Sequence, residues 1–266
     1  MHIQARYETL KRVVGKLDKV LVAYSGGMDS TLLLRTCVDV LGKENVLAFI
    51  GNGPIFSAKA IQEARSVADE VGAEYILRDT AILKDKAFVE NTKSRCYYCK
   101  KKLLGLAVKA AEEKGMEHLV DGTNLDDTND FRPGTEAAKE MKVTSPLLAA
   151  GLTKHDIGIL SRRLGLSTHD KPADACLATR VPYGTPINAA LLKRVELSEE
   201  FIKSTGVSKV RVRCHGNTAR IETGESDFDF IFREREGIVD GLKRYGFTYV
   251  ALDLDGYRTG SMNEAS

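Results

Sequence analysis

No stretch of the 266-residue chain stays apolar for long enough to cross a bilayer, and the opening "MHIQARYETLKRVVGKL" lacks the apolar core of a secretory signal. That segment reads instead as an amphipathic helix, and the expected compartment is the cytoplasm. Charge of one sign is lacking too. Lys and Arg number 39 against 37 Asp and Glu, and a net charge of +2 is too small to imply nucleic-acid binding on its own. There is no internal repeat and no low-complexity tract. Cysteine is scarce and odd in number: Cys37, Cys96, Cys99, Cys176 and Cys214. In a reducing compartment a disulfide framework is not expected, so any special role for these thiols is metal binding or sulfur chemistry. Cys37 falls on the apolar face of a helical pattern and Cys214 alternates with Val210 and Val212, so both read as core. Three cysteines remain to be explained.

What is present is an alternation of two periodicities. "KVLVAYS", "NVLAFIGN", "AEYILRD" and "HLVDG" read as strands, interleaved with the helical patterns "TLLLRTCVDVL", "SAKAIQEARSVADEVG" and "KKLLGLAVKAAEEKG". This order predicts an α/β fold, a doubly wound parallel sheet with ligands at the carboxyl ends of its strands. "TKHDIGILSRRLG" follows as a helix capped by Thr153 and closed by Gly165. The pattern then breaks, because "HDKPADACLATRVPYGTPIN" carries three prolines and no periodicity. Residues 1–170 are therefore expected to form one domain, 171–187 a linker or active-site loop, and 188–266 a smaller C-terminal α+β domain. The last should hold a helix from Ala189 to about Ser204 and a hairpin, "KVRVRCHG" with "TARIET", turning at Gly216-Asn217. A helix near "FIFREREGIVDGLKRYG" and a final strand "YVALDL" complete it.

The junction "YSGGMDS" between the first strand and its helix carries the clearest chemistry. Unpaired N–H groups at a helix start, reinforced by the helix dipole, make an anion site. Gly26 and Gly27 let the backbone approach a phosphate, Ser25 and Ser30 add hydroxyl donors, and Asp29 can hold a Mg²⁺ that bridges phosphate oxygens. The stretch lacks the lysine of a G-x-x-x-x-G-K-[ST] loop. After the fourth strand comes "DGTNLDDTNDFRPG", Asp121 to Gly134, at the sheet end where a nucleotide pocket is completed; by composition alone it is an acidic surface loop.

Cys96-x-x-Cys99 in "SRCYYCKKK" suits zinc or an iron–sulfur cluster by spacing. A structural zinc site wants four ligands, and no second C-x-x-C or H-x₃-H exists. With Cys176 of "DACLATR" as the spare thiol, three thiolates can hold three corners of a [4Fe–4S] cube; a redox C-x-x-C at a helix start is the competing reading. Arg211, Arg213 and His215 alternate along one strand, and Arg220 and Glu222 along the next. They form either a solvated outer face or, facing a cleft, a phosphate clamp.

"SGGMDS" resembles the SGGxDS signature of the PP-loop ATP pyrophosphatases, with Met28 where Val is usual, and "GTNLDD" resembles their second ATP-binding segment. The set "SGGMDS", "DGTNLDD", "FRPG", "SPLL", "TKHDI", "KPADACLATRVPYGTPI", "RIE" and "LDLDGYRTGSMN" is similar to the LarE-type ATP-dependent sulfur insertases of nickel-pincer nucleotide biosynthesis, over nearly the whole chain. The resemblance implies that residues 1–170 are a PP-loop domain which binds ATP and Mg²⁺. Contacts to them come from Ser25, Gly26, Gly27, Asp29, Ser30, Thr123 and Asn124, with Asp126 or Asp127 as a metal or acid contact. It further implies that a carboxylate of a pyridinium-3,5-biscarboxylate mononucleotide is adenylated and then attacked by sulfur. Arg180, Arg211 and Arg213 would bind this substrate, Glu222 and Glu199 would lie near it or a metal, and Tyr97 and Tyr98 either stack on its ring or pack structurally. Thr179 stands where the family has Ser. In single-cysteine relatives the cysteine matching Cys176 gives up its own sulfur; Cys96 and Cys99 beside it are the pattern of the [4Fe–4S] type, with sulfide as donor. The alternative readings are a tRNA thiolase and a non-enzymatic iron–sulfur carrier or nucleotide sensor. A homo-oligomer is implied as well.

Overall fold

The computed structural model describes residues 3–128, 133–172, 175–258 and 260–263. The expected loop residues 129–132, with Phe131 and Arg132 of "FRPG", lie outside them, as do Ala173 and Asp174 of "KPADAC" and Thr259 of "YRTG". The chain divides into two compact units: Met1–Ile82 with Ser94–Asp174, and Leu83–Lys93 with Ala175–Ser266. The sequence reading assigned 83–93 to the first domain; here this short segment packs with the second unit.

In the first unit, α1 (Ile3–Val14) leads into β1 (Val20–Ala23), α2 (Met28–Leu41), β2 (Val46–Asn52), α3 (Ala58–Val71) and β3 (Glu74–Asp79). The four-residue helix α4 (Lys86–Val89) belongs to the segment that joins the second unit. The chain returns in α5 (Arg95–Lys114), β4 (His118–Asp121), α6 (Pro133–Glu140), α7 (Pro146–Ala149) and α8 (Lys154–Arg163). The sheet is all parallel in the order β3-β2-β1-β4, so the fold is α/β as expected. Side chains of β1 alternate across it: Val20 and Val22 pack with α1, α2 and α8, while Leu21 packs with Ala107, Ala110 and Ala111 of α5. Because both faces are covered, the strands read as apolar runs. Thr153 caps α8 with a reciprocal box, accepting from Asp156 N at 3.2 Å while its own N–H reaches Asp156 Oδ2 at 3.1 Å.

α5 begins at Arg95, six residues earlier than the pattern starting at Lys101 suggests. Cys96 and Cys99 therefore lie within its first turns, at the i,i+3 spacing that puts two side chains on one helix face.

The second unit follows the expected order. α9 (Ala189–Ser204) is capped by the Asn188 side chain, which accepts from Leu191 N at 2.9 Å. β5 (Val210–His215) and β6 (Thr218–Thr223) form the antiparallel hairpin, with Gly216 at φ +60° in its turn. The helix expected after it breaks at Glu234 into α10 (Phe228–Arg233) and α11 (Arg235–Arg244), and β7 (Tyr249–Leu252) then pairs parallel with β6. No helix among the described residues is long and apolar enough to cross a membrane.

Candidate active site

β1 ends against β2, with Tyr24 N donating to Phe49 O at 2.9 Å, and the chain turns through Ser25, Gly26 and Gly27 into α2. Gly26 has φ +69°, and a Cβ there would stand 2.7 Å from the Ala64 Cβ, so conformation and space both demand glycine. The loop is tied internally. Ser25 Oγ lies 3.1 Å from Ser30 Oγ and accepts from Gly27 N at 3.3 Å, while Ser30 Oγ donates to Gly27 O at 3.1 Å. No side chain caps α2 at Gly27. The N–H groups at such a helix start, reinforced by its dipole, are the arrangement an anion exploits.

The second expected segment meets this loop directly. Asn124 Nδ2 donates to Asp29 Oδ2 at 3.1 Å. Asn124 is itself buried, its N–H bonded to Asp127 Oδ2 at 3.2 Å and its Oδ1 accepting from Asp126 N at 2.9 Å. Asp126 and Asp127 also engage α8: Asp126 Oδ2 accepts from Lys154 N at 2.7 Å, and Asp127 Oδ1 lies 3.3 Å from Lys154 Nζ. Both acids thus hold the loop that presents Thr123 and Asn124.

Three neighbours escaped the sequence reading. Gly122 is packed so tightly that a Cβ would come within 3.0 Å of Ser30 N. Asp121, 1% exposed, is held by Lys100 Nζ at 3.0 Å and accepts from Ser145 Oγ at 2.8 Å. Burial raises the Asp121 carboxyl, but the Lys100 charge and the bonds from Ser145, Lys100 and Thr123 outweigh it and leave the group below its ordinary value. Lys171 brings a cation to the loop that lacks its own, donating to Gly26 O at 3.2 Å and pairing with Glu63 at 2.9 Å. The "DG" at a strand end was a signal for the first two; nothing local announces Lys171.

In the second unit Cys176 stands before a 3₁₀ turn, Leu177–Arg180, and is partly exposed. Arg180 is 1% exposed and faces protein. Its Nε and Nη2 meet the two Glu199 oxygens at 2.8 and 3.2 Å, and Nη1 donates to Ala175 O, Cys176 O and Thr179 Oγ1 at 2.6, 3.0 and 2.9 Å. Glu199 also accepts from Val212 N at 3.1 Å and has Arg211 Nη1 at 3.7 Å. Burial alone would raise Glu199; Arg180, Arg211 and the Val212 bond bring it below the usual glutamate range.

The arginine face of the hairpin is not a solvated exterior. Arg211 and Arg213 are buried beside a fully buried Glu222. Glu222 accepts from Arg213 at 2.6 Å, Arg220 at 2.9 Å and Ser261 Oγ at 2.7 Å, so the "GSMN" segment contributes Ser261, to which the sequence reading gave no role. Arg213 Nε and Arg220 Nε, both buried, make no hydrogen bond within the described residues.

Of the five thiols, Cys96 is exposed and Cys99 and Cys176 partly so, whereas burial pushes Cys37 up to about 12 and raises Cys214 despite the nearby Arg194. Within neither unit do three His, Cys, Asp or Glu side chains of the described residues form a metal-holding group. Tyr97 and Tyr98 meet edge to face at 5.4 Å. The Tyr97 hydroxyl donates to Glu140 at 2.9 Å and accepts from Lys101 at 2.8 Å.

A parallel sheet whose first strand turns through SGGMDS into a helix, with a second segment from β4 bonded to the loop's aspartate, defines a PP-loop ATP pyrophosphatase. The NAD synthase family model matches residues 2–101. Over 258 residues the chain is 37% identical to the pyridinium-3,5-bisthiocarboxylic acid mononucleotide synthase of Lactiplantibacillus plantarum, covering 96% of this chain and 93% of that one. It belongs to that synthase family, the LarE-type sulfur insertases, and is an ATP-dependent sulfurtransferase. An uncharacterized protein of Synechocystis sp. is 36% identical over 263 residues, 98% of each chain. A probable tRNA sulfurtransferase of Methanothermobacter thermautotrophicus matches at 27% over 161 residues, 57% of this chain and 41% of that one.

Proposed function

We propose that the protein converts a carboxylate of pyridinium-3,5-biscarboxylic acid mononucleotide to a thiocarboxylate, a step towards a nickel-pincer nucleotide. The observation that carries this reading is the Asn124–Asp29 bond, which joins both ATP segments into one preorganised site. Ser25, Gly26, Gly27, Ser30 and Thr123 hold the polyphosphate, Lys171 adds positive charge, and Asp29 presents a carboxylate oxygen suited to Mg²⁺. Asp127 acts on the nucleotide through Asn124. The substrate carboxylate attacks the α-phosphorus, pyrophosphate leaves with the bonding pair, and a sulfur nucleophile displaces AMP from the acyl-adenylate. Arg211 and Arg213 bind the anionic groups of the mononucleotide, with Glu222 orienting Arg213. Arg180 and Glu199 act on it through the loop that carries Cys176. The setting proposed is a cytoplasmic homo-oligomer that takes sulfide from solution.

Cys96, Cys99 and Cys176 fit a [4Fe–4S] cluster as ligands. They are the three accessible thiols, and the first two share one helix face. When bound, such a cluster supplies an iron without a cysteine ligand, open to exogenous sulfide. Anaerobically prepared protein is expected to carry about four irons per chain, lost on Cys96→Ala, Cys99→Ala or Cys176→Ala and kept on Cys37→Ala and Cys214→Ala. Given ATP, Mg²⁺, substrate and excess sulfide, it should form more than one product per chain with its mass unchanged. Product stopping at one equivalent, with a chain lighter by about 34 Da at Cys176, would show instead that Cys176 gives up its sulfur.

Arg211→Ala is expected to weaken mononucleotide binding by about 1.5–3 kcal/mol, the worth of a charge-assisted contact, and to leave ATP binding intact. Calorimetric titration of each ligand checks this. Tight, salt-dependent tRNA binding that survives the change would favour the thiolase reading.

A further inference from the structure

The first unit has a basic concavity besides the loop itself. A cavity of about 670 Å³ opens between α8, the segment 169–171 and Met28, whose side chain lies on the side of α2 that meets Gly158. α8 supplies Lys154, Arg162 and Arg163, and the following segment supplies His169 and Lys171; the acid on the wall is Asp170. Two of these cations are already engaged, Lys154 with Asp127 and Lys171 with Glu63. Arg162 and Arg163, both exposed, have no ion pair with a described residue. Two arginines in a last helical turn also complement the helix dipole. That accounts for their charge but not for the concave wall they share with His169 and Lys171.

Lys171 connects this cavity to the nucleotide loop, because the side chain that lines it also donates to Gly26 O at 3.2 Å. An anion leaving the loop on that side meets guanidinium groups that pair with no acid among the described residues, and their planar forks suit phosphate oxygens. We infer that the cavity is a second anion site, which takes the inorganic pyrophosphate released when ATP is split. The pyrophosphate reaches it past Lys171, and its departure clears the loop for the next ATP. The inference rests on the proposed ATP cleavage for the origin of its ligand, but binding tests it without any turnover.

Inorganic pyrophosphate is titrated calorimetrically into the full chain, with neither ATP nor mononucleotide present. Two equivalents are expected. One should weaken by about tenfold, the loss of a charge-assisted contact, in Arg162→Ala/Arg163→Ala, a change at exposed side chains that the fold tolerates. That variant should keep its KM for ATP and show weaker product inhibition by pyrophosphate. A single equivalent, bound alike by the native chain and the double variant, would overturn the second site whatever the enzyme does with ATP. Equal competition by sulfate or orthophosphate would overturn it too, reducing the cavity to general surface charge.

Discussion

Replacing Glu199 by alanine is expected to destabilise the second unit by about 3–5 kcal/mol, the cost of leaving a buried charge without its partner. The Arg180 and Glu199 side chains are only 2% and 5% exposed, so water cannot take over the role of the lost carboxylate. The effect should reach the chemistry as well. Arg180 pins the Ala175 and Cys176 carbonyls, and once Glu199 no longer orients the guanidinium, Cys176 is held less firmly. Denaturant unfolding measures the first effect, and the rate of Cys176 alkylation, expected to rise, measures the second. Unchanged stability would mean that the pair is dispensable. The pH dependence has a definite sign. The folded carboxyl lies below the ordinary glutamate value, so its contribution is complete above that value, about 4.3, and is lost as pH falls through the lower folded one. The advantage of the native chain over Glu199→Gln should therefore hold at neutral pH and shrink in acid.

Gly122→Ala is expected to lower pyrophosphate formation from ATP by about tenfold, because backbone in the loop must shift by a few tenths of an ångström, less than the roughly 1 Å misplacement that costs about a hundredfold. The added Cβ would meet Ser30 N at 3.0 Å and Ser30 Cα at 3.2 Å, and backbone cannot rotate away as a side chain can. The conflict would push the segment carrying Thr123 and Asn124 off the helix start that carries Asp29, stretching the Asn124–Asp29 bond. The KM for ATP should rise together with a fall in kcat, because both segments touch the nucleotide. Native kinetics in this variant would show that the two segments need not be in register.

The loop and its flanking elements were legible because their causes are local. A doubly buried strand needs an apolar run, a helix needs its 3.6-residue period, and a turn at positive φ needs glycine at position 26. The start of α5 was not legible, since Arg95, Cys96, Tyr97 and Tyr98 carry no apolar period, and only packing extends the helix through them. The place of the segment 83–93 was not legible for a related reason. Its place is held by Asn91 Nδ2 bonding to Pro182 O and Thr185 O, both at 2.8 Å and more than ninety residues away, and by Ile187 N bonding to Val89 O at 2.9 Å.

The sequence by itself determined the parallel strands, the hairpin, the longer helices, their order and the nucleotide loop. Only the tertiary structure decided what each charge meets. Arg180 was expected at the substrate, and the fold buries it against Glu199 and the carbonyls around Cys176. Lys171 had no motif, and the fold brings it to Gly26. Local patterns encode which backbone conformations are accessible, whereas a buried ion pair depends on partners brought together by the packing of distant segments, and it persists because separating it inside the core costs more than the pairing did.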